Sequence, residues 1–174
     1  MMEKLWKRRL SITKVALMTG LIVAGILAQT PDPPAPPAQP LPFSHKTHAG
    51  QLELKCLSCH TNPAPGEKMT YPATSMCMSC HEEIAADKPS IKKLAEYHKS
   101  KESVPWKPIY RNPAWVFFSH QVHLDAGAKC DRCHGQVSER DALWREKDIS
   151  MKSCMRCHRE YNASTACDYC HESQ

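Results

Sequence analysis

Hydrophobic and polar positions fall in blocks along this chain rather than in one regular period. A basic head over residues 4–9 precedes an apolar run from Val15 to Ala28. This pattern predicts an N-terminal helix within residues 1–29 that directs export and leaves the basic head in the cytoplasm. A retained anchor is favoured over a cleaved signal peptide because Ile26 suits an A-x-A cleavage site poorly, although the run is short for a span of about 20 residues.

Residues 30–42 contain seven of the fourteen prolines and predict an extended linker. Beyond it, a helical apolar period occurs clearly only once. The stripe at i, i+3, i+4 and i+7 consists of Ile91, Leu94, Ala95 and His98. We expect Asp87 to cap this helix, with Pro89 in its first turn. Ser138 and Asp141 resemble a capping box and predict a second short helix directly after them.

All ten cysteines lie in five copies of the motif Cys-x-x-Cys-His. The copies are Cys56–Cys59–His60, Cys77–Cys80–His81, Cys130–Cys133–His134, Cys154–Cys157–His158 and Cys167–Cys170–His171. The motif is typical of c-type haem attachment, in which two thioethers hold the porphyrin and the histidine binds the iron. On a helical turn, residues three and four apart share a face, so both sulfurs and the imidazole meet one flat ring. The sequence therefore predicts five covalently bound haem c groups.

Zinc binding and disulfide formation are the two other possible uses of these cysteines. A zinc site needs Cys and His ligands but not a histidine after every second cysteine. Five disulfides would suit an oxidising compartment, yet they also leave the five histidines unexplained. Haem attachment is the interpretation that accounts for both residue types.

Five histidines lie outside the motifs, one for each predicted haem: His45, His48, His98, His120 and His123. They are predicted to be distal ligands, which would give bis-histidine iron throughout. A six-coordinate iron has no open position for a substrate, so this ligand set favours electron transfer over catalysis. Methionine is the competing axial ligand, and the candidates near the motifs are Met69, Met76, Met78, Met151 and Met155.

A repeat organises the chain. Phe43-Ser44-His45-x-x-His48 recurs as Phe118-Ser119-His120-x-x-His123, and each copy precedes a haem motif. We predict a two-haem module over residues 43–86, a connecting segment with one helix over 87–117, and a three-haem module over 118–174. With so many prolines and few apolar residues, the predicted fold is mainly irregular with short α-helices and almost no sheet, and the haems form its core.

The formal charge of +5 does not indicate a nucleic-acid partner. From Phe43 onward the chain has 18 basic and 16 acidic residues, because five of the basic residues belong to the export segment. Haem propionates would make the holoprotein acidic, which excludes a nucleic-acid interpretation based on charge.

The F-S-H-x-x-H pair followed by C-x-x-C-H resembles the class III cytochromes c, which are low-potential multihaem proteins. The resemblance implies that the second histidine of each pair caps the haem whose motif follows. His48 would then cap the haem on Cys56 and Cys59, and His123 the haem on Cys130 and Cys133. His45 and His120 would cap more distant haems.

The N-terminal helix, the five motifs and the segment from Val104 to His120 also resemble the pentahaem subunits of bacterial membrane quinol-oxidising complexes, namely alternative complex III and the menaquinone reductase complex. The resemblance implies an electron carrier, not an enzyme, anchored on the periplasmic side of the inner membrane. Its expected partners are quinol-oxidising membrane subunits and a periplasmic acceptor. A soluble periplasmic shuttle and a multihaem oxyanion reductase are the alternatives, and the reductase requires one five-coordinate iron.

Overall fold

The computed structural model describes residues 33–171. The predicted N-terminal helix and the first residues of the linker lie outside this range. The described helices are α1 (Cys56–Cys59), α2 (Thr74–His81), α3 (Pro89–Ser100), α4 (His120–Asp125), α5 (Cys130–His134) and α6 (Met151–Glu160). A π-helix (Lys46–Gln51) and two 3₁₀ turns (Val137–Glu139 and Cys167–Tyr169) complete the regular structure of this range.

Extended pairing is minimal, as predicted. Between residues 33 and 171 it consists of one antiparallel bridge that joins Val116 to His171. The remaining chain is irregular, so the predicted fold class of short helices and irregular segments is confirmed. Within the same range, no helix combines the length and the apolar character needed to cross a membrane.

Helix α3 forms where the sequence predicted it, but it begins without the expected cap. Its N-cap residue is Lys88, which makes no side-chain capping bond, and Pro89 occupies the first turn. Lys101 ends the helix in the left-handed region, with φ 59°. The prediction that Asp87 caps the helix is therefore wrong, because the N-cap is the next residue, Lys88. Pro89 already fixes the first turn without a side-chain cap.

The side-chain core is small and lies where α2 packs against α3. Leu41, Met78, Leu94 and Val104 are the buried apolar residues, and each is between 5 and 8% exposed. The stripe on α3 points into this core as predicted, since Ile91 and Ala95 pack against the same cluster. Elsewhere large apolar side chains remain exposed, among them Trp115 at 68% and Tyr169 at 69%.

The predicted helix after Ser138 does not form. Ser138 lies inside the 3₁₀ turn instead, and Arg140 after it is extended. Asp141 makes a long-range contact rather than a helix cap: its carboxylate accepts a hydrogen bond from the Ser44 hydroxyl at 2.7 Å. The Lys46 amide donates to the Arg140 carbonyl at 2.9 Å. These contacts fasten the first histidine pair to the second half of the chain, which is why the local capping signal was overridden.

Candidate cofactor sites

The five Cys-x-x-Cys-His motifs all begin on a helical turn. We number them sites 1 to 5 in chain order. Sites 1 and 3 coincide with the first residues of α1 and α5, sites 2 and 4 lie inside α2 and α6, and site 5 begins on the last 3₁₀ turn. The residue before sites 1, 3 and 5 is extended, at Lys55, Lys129 and Ala166, so the chain turns abruptly into these three motifs. The predicted placement of the motifs on helical turns is confirmed.

None of the ten cysteines forms a disulfide. All ten are free thiols, which contradicts the disulfide alternative. In the range 33–171, His, Cys, Asp and Glu side chains form no cluster of three or more that would hold a metal ion directly. The thiols thus lie along helical turns without a shared metal site, which suits attachment to a large flat ring.

Four of the five motif histidines donate Nδ1–H to a main-chain carbonyl. The acceptors and N–O distances are Thr70 for His60 (2.8 Å), Ile84 for His81 (2.9 Å), Ser164 for His158 (2.6 Å) and Trp115 for His171 (3.2 Å). A carbonyl oxygen only accepts, so the proton lies on Nδ1 and the lone pair stays on Nε2. An imidazole held in this way has the tautomer and orientation that a metal ligand requires.

The histidines outside the motifs are held in the same manner. The acceptors are the Ser44 carbonyl for His48 (2.8 Å), the Glu67 carbonyl for His120 (2.9 Å) and the Ser119 carbonyl for His123 (2.8 Å). His98 contacts the Thr74 hydroxyl at 3.3 Å, again through Nδ1. Eight of the ten histidines therefore use Nδ1 for orientation.

Eight histidines form four facing pairs, each of one motif histidine and one non-motif histidine. The ring-centre distances are 6.4 Å for His45–His60 and His120–His134, and 6.1 Å for His48–His81 and His123–His158. Two imidazoles on opposite sides of one metal, with bonds of about 2 Å and roughly 1.1 Å from nitrogen to ring centre, have centres about 6 Å apart. The residues fit a bis-histidine haem at sites 1 to 4.

This pairing corrects what the resemblance implied. His45, not His48, faces the motif that follows it, and His48 faces the histidine of site 2. The second copy repeats the arrangement, because His120 faces His134 and His123 faces the histidine of site 4. The reason is local: Phe43 lies edge-on to the His45 ring but is stacked on the His48 ring, which the Ser44 carbonyl also holds, so the two rings point to different sites.

His98 and His171 are the two histidines left. Among residues 33–171, neither has a facing histidine ring at the distance found in the four pairs. His171 is fixed near the Val116 bridge, and His98 lies on α3 beside α2. The structure thus orients both rings without bringing them together.

Two of the paired histidines, His45 and His134, have a lowered pKa. Burial first, and then the neighbouring His60 and His48, lower the pKa of His45 to about 4. Burial also lowers the pKa of His134, followed by the effect of His120 and His60. Metal ligation requires neutral imidazole, so these environments suit ligands.

Three aromatic residues support the rings, and only the two phenylalanines, which precede histidine pairs, could be suspected of this from the sequence. Phe43 contacts both His45 and His48, and Phe118 contacts both His120 and His123. Tyr110 meets the His134 ring edge-on at 4.9 Å. Its hydroxyl accepts the amide N–H groups of residues 146 and 147, at 3.0 Å each. The carbonyls that orient the histidines carry no side-chain signal and could not be found from sequence.

The predicted methionine competitors are placed in different ways. Met78 is buried in the side-chain core at 7% exposure, whereas Met76 and Met151 are exposed at 49% and 69%. Met69 and Met155 are partly buried. At the four paired sites a histidine faces the motif histidine, so these sites already have two imidazoles.

The chain is similar to known multihaem cytochromes c. Residues 25–106 match the class III cytochrome c family, and residues 116–172 match the family of cytochrome c7 and related cytochromes c. The chain is 30% identical over 161 residues to the menaquinone reductase, multihaem cytochrome c subunit of Nitratidesulfovibrio vulgaris (Hildenborough), which covers 77% of each chain.

The chain belongs to the class III multihaem cytochromes c.

For a class III cytochrome, covalent haem c on Cys-x-x-Cys-His is the defining cofactor, and electron transfer is its chemistry. When bound, haem supplies an iron that cycles between two oxidation states. The protein's part is to hold that iron with imidazoles, to orient them through Nδ1 and to exclude water from the ligand rings. The four facing pairs would supply the imidazoles, and six of their eight rings are oriented through Nδ1.

Proposed function

We propose that this cytochrome carries five haems and passes electrons as a subunit of a quinol-oxidising respiratory complex, on the periplasmic side of the bacterial inner membrane. The observation that supports it is the set of four facing histidine pairs at about 6 Å. An iron closed on both sides has no position for a substrate, so such sites suit electron transfer rather than catalysis. For the same reason the pairs weigh against an oxyanion reductase at sites 1 to 4.

We propose the two axial ligands of the fifth haem from the histidines that remain. After four pairs are formed, the remaining histidines are one motif histidine, His171, and one other, His98. A fifth bis-histidine haem needs one motif histidine and one other histidine, and these two are available. We therefore keep His171 as the proximal ligand and His98 as the distal ligand of the fifth haem.

The contacts support a spatial order of sites 2, 1, 3, 4 and 5, which differs from the chain order. The rings of His45 and His48 flank Phe43, which links sites 1 and 2, and the rings of His120 and His123 flank Phe118, which links sites 3 and 4. The Glu67 carbonyl, in the loop after site 1, holds the distal histidine of site 3. Electrons that travel between the two halves would therefore cross between sites 1 and 3.

The thiols support the same order independently. Burial raises the pKa of Cys77, Cys130, Cys133 and Cys154, and the next cause in each case is a thiol of a neighbouring site. The neighbours are Cys59 for Cys77, Cys56 for Cys130, Cys157 for Cys133, and Cys133 and Cys170 for Cys154. These contacts support the adjacency of sites 1 and 2, 1 and 3, 3 and 4, and 4 and 5.

The place in a complex rests on the relative and on the sequence. The relative is by its name a subunit of a menaquinone reductase. The basic head and apolar run of the N-terminal segment supply an export signal or anchor. The proposed partners are membrane subunits that oxidise quinol and a redox protein that accepts or donates electrons at the periplasmic surface.

Purification from the native membrane tests this proposal. We expect the cytochrome to co-purify with quinol-oxidising subunits, to keep its N-terminal segment and to be reduced by added menaquinol analogue with low-spin haem signals only. A cytochrome released in soluble form, with a mature N-terminus near Gln29, would favour the shuttle. High-spin ferric haem at sites 1 to 4 would favour an enzyme.

A further inference from the structure

The two phenylalanines that precede the histidine pairs contact those histidines in two different ways. Phe43 lies edge-on to the His45 ring, at 4.8 Å and 83°, and is stacked on the His48 ring, at 4.4 Å and 20°. One side chain therefore sets two ring planes that are far from parallel to each other.

The second copy repeats this arrangement with different neighbours in the chain. Phe118 is edge-on to His120, at 4.8 Å and 89°, and stacked on His123, at 4.6 Å and 27°. The agreement between two separate segments indicates a property of the motif rather than an accident of one loop.

The facing histidines divide into two classes in the same way. The planes within the His45–His60 and His120–His134 pairs differ by only 8° and 10°. The planes within the His48–His81 and His123–His158 pairs differ by 57° and 44°. Sites 1 and 3 thus have parallel imidazoles, and sites 2 and 4 have crossed imidazoles.

The crossed pairs have the histidines that are stacked on phenylalanine. The Nδ1 bond of His48 to the Ser44 carbonyl fixes one direction of its ring, and the parallel face of Phe43 fixes its rotation about that direction. His123 is held likewise by the Ser119 carbonyl and Phe118. Without the aromatic face, the imidazole would be free to turn about its Nδ1 bond.

We propose that Phe43 and Phe118 are positioning residues that keep the axial imidazoles crossed at sites 2 and 4, while those at sites 1 and 3 remain parallel. This rests on the proposed bis-histidine ligation. Parallel imidazoles donate into the same iron d orbital and split the d orbitals strongly, which gives a rhombic ferric EPR signal. Crossed imidazoles reduce that splitting and give a strongly anisotropic signal, so the chain builds two electronic classes of haem from one ligand set.

EPR of the oxidised full-length holoprotein tests the inference. The wild type should show rhombic signals from two haems and strongly anisotropic low-spin signals from two others. Phe43→Leu should remove or shift one of the two anisotropic signals, and Phe118→Leu should do so for the other. Phe43→Tyr, which keeps the ring, should restore the wild-type spectrum.

Phe117→Leu is the matched control. Phe117 is the third phenylalanine, neighbours Phe118 and is 52% exposed, and its amide bond to the Cys170 carbonyl does not involve its side chain. It should leave the low-spin signals unchanged. If Phe43→Leu does not bind its full set of haems, the wild-type spectrum and the Phe118→Leu and Phe43→Tyr variants still test the inference.

Four rhombic signals in the wild type would overturn the inference. Unchanged anisotropic signals in both leucine variants, with full haem content by mass, would overturn it as well while leaving the proposed function intact. A high-spin signal from sites 1 to 4 in the wild type would instead remove bis-histidine ligation, and with it both proposals.

Discussion

The imidazole of His120 is held by the main-chain carbonyl of Glu67, with 2.9 Å between Nδ1 and the oxygen. The two residues are 53 positions apart and belong to different halves of the chain. The same loop accepts the Gln121 amide through the Gly66 carbonyl, at 2.9 Å. The orientation of a predicted ligand for site 3 therefore depends on the loop that follows site 1.

This dependence predicts a specific effect of Gly66→Ala. Gly66 has φ +85°, and an added Cβ would lie 2.5 Å from the Gln121 Cβ. We expect the loop to move away from His120 and the signal of the site 3 haem to change, with stability reduced by more than the roughly 1–2 kcal/mol that a positive φ costs. Thermal denaturation and EPR of the holoprotein measure the two effects.

Gly127→Ala is the control for backbone strain. Gly127 has φ +78°, but an added Cβ there meets no atom within 4 Å. Gly127→Ala should lower the free energy of unfolding by about 1–2 kcal/mol and leave the haem signals unchanged. Equal spectra for both variants would contradict the proposed link between the Gly66 loop and site 3.

The ring pairing predicts which haem responds to each histidine. His48→Met should raise the potential of the site 2 haem, on the order of 0.1 V within the roughly 0.8 V range that axial ligands span. His45→Met should do the same at site 1. An EPR-monitored redox titration separates them, because the parallel and crossed pairs are expected to give different signals. If His48→Met instead raised the potential of the site 1 haem, His48 would be the ligand of site 1, as the family resemblance implied.

The fifth site has its own test. His98→Ala should convert one low-spin haem to high spin, because the proposed distal imidazole is lost. The other four sites should keep their low-spin signals, which ultraviolet–visible and EPR spectra of the ferric protein report together. A fully low-spin variant would show that His98 is a packed histidine beside Thr74, with the distal ligand of site 5 supplied elsewhere.

Haem attachment should be required for folding. The buried apolar residues of the described range are four, and many large side chains stay exposed, so the polypeptide alone buries little area. A chain expressed without the haem attachment machinery should be digested rapidly by protease and show little fixed helical structure. A compact, protease-resistant chain without haem would contradict this account of the core.

Much of the architecture follows from the sequence because its signals are local. The motifs on helical turns and the α3 stripe with Leu94 at its centre depend on spacing alone. The capping signal of Ser138 and Asp141 failed because Asp141 binds Ser44 instead, a contact between residues 97 positions apart. The ring pairing that the resemblance implied differs from the structure for a related reason: spacing predicts His45 and His48 as candidate ligands but not which site each ring faces.

The proposed core and the proposed function both require five covalently bound haems. Intact-mass measurement of the purified, denatured holoprotein tests this most directly, since thioether links survive denaturation. We expect the polypeptide mass plus five haem groups, with no free thiol left for alkylation. A smaller number of haems, or ten alkylatable cysteines with metal ions lost on denaturation, would contradict it.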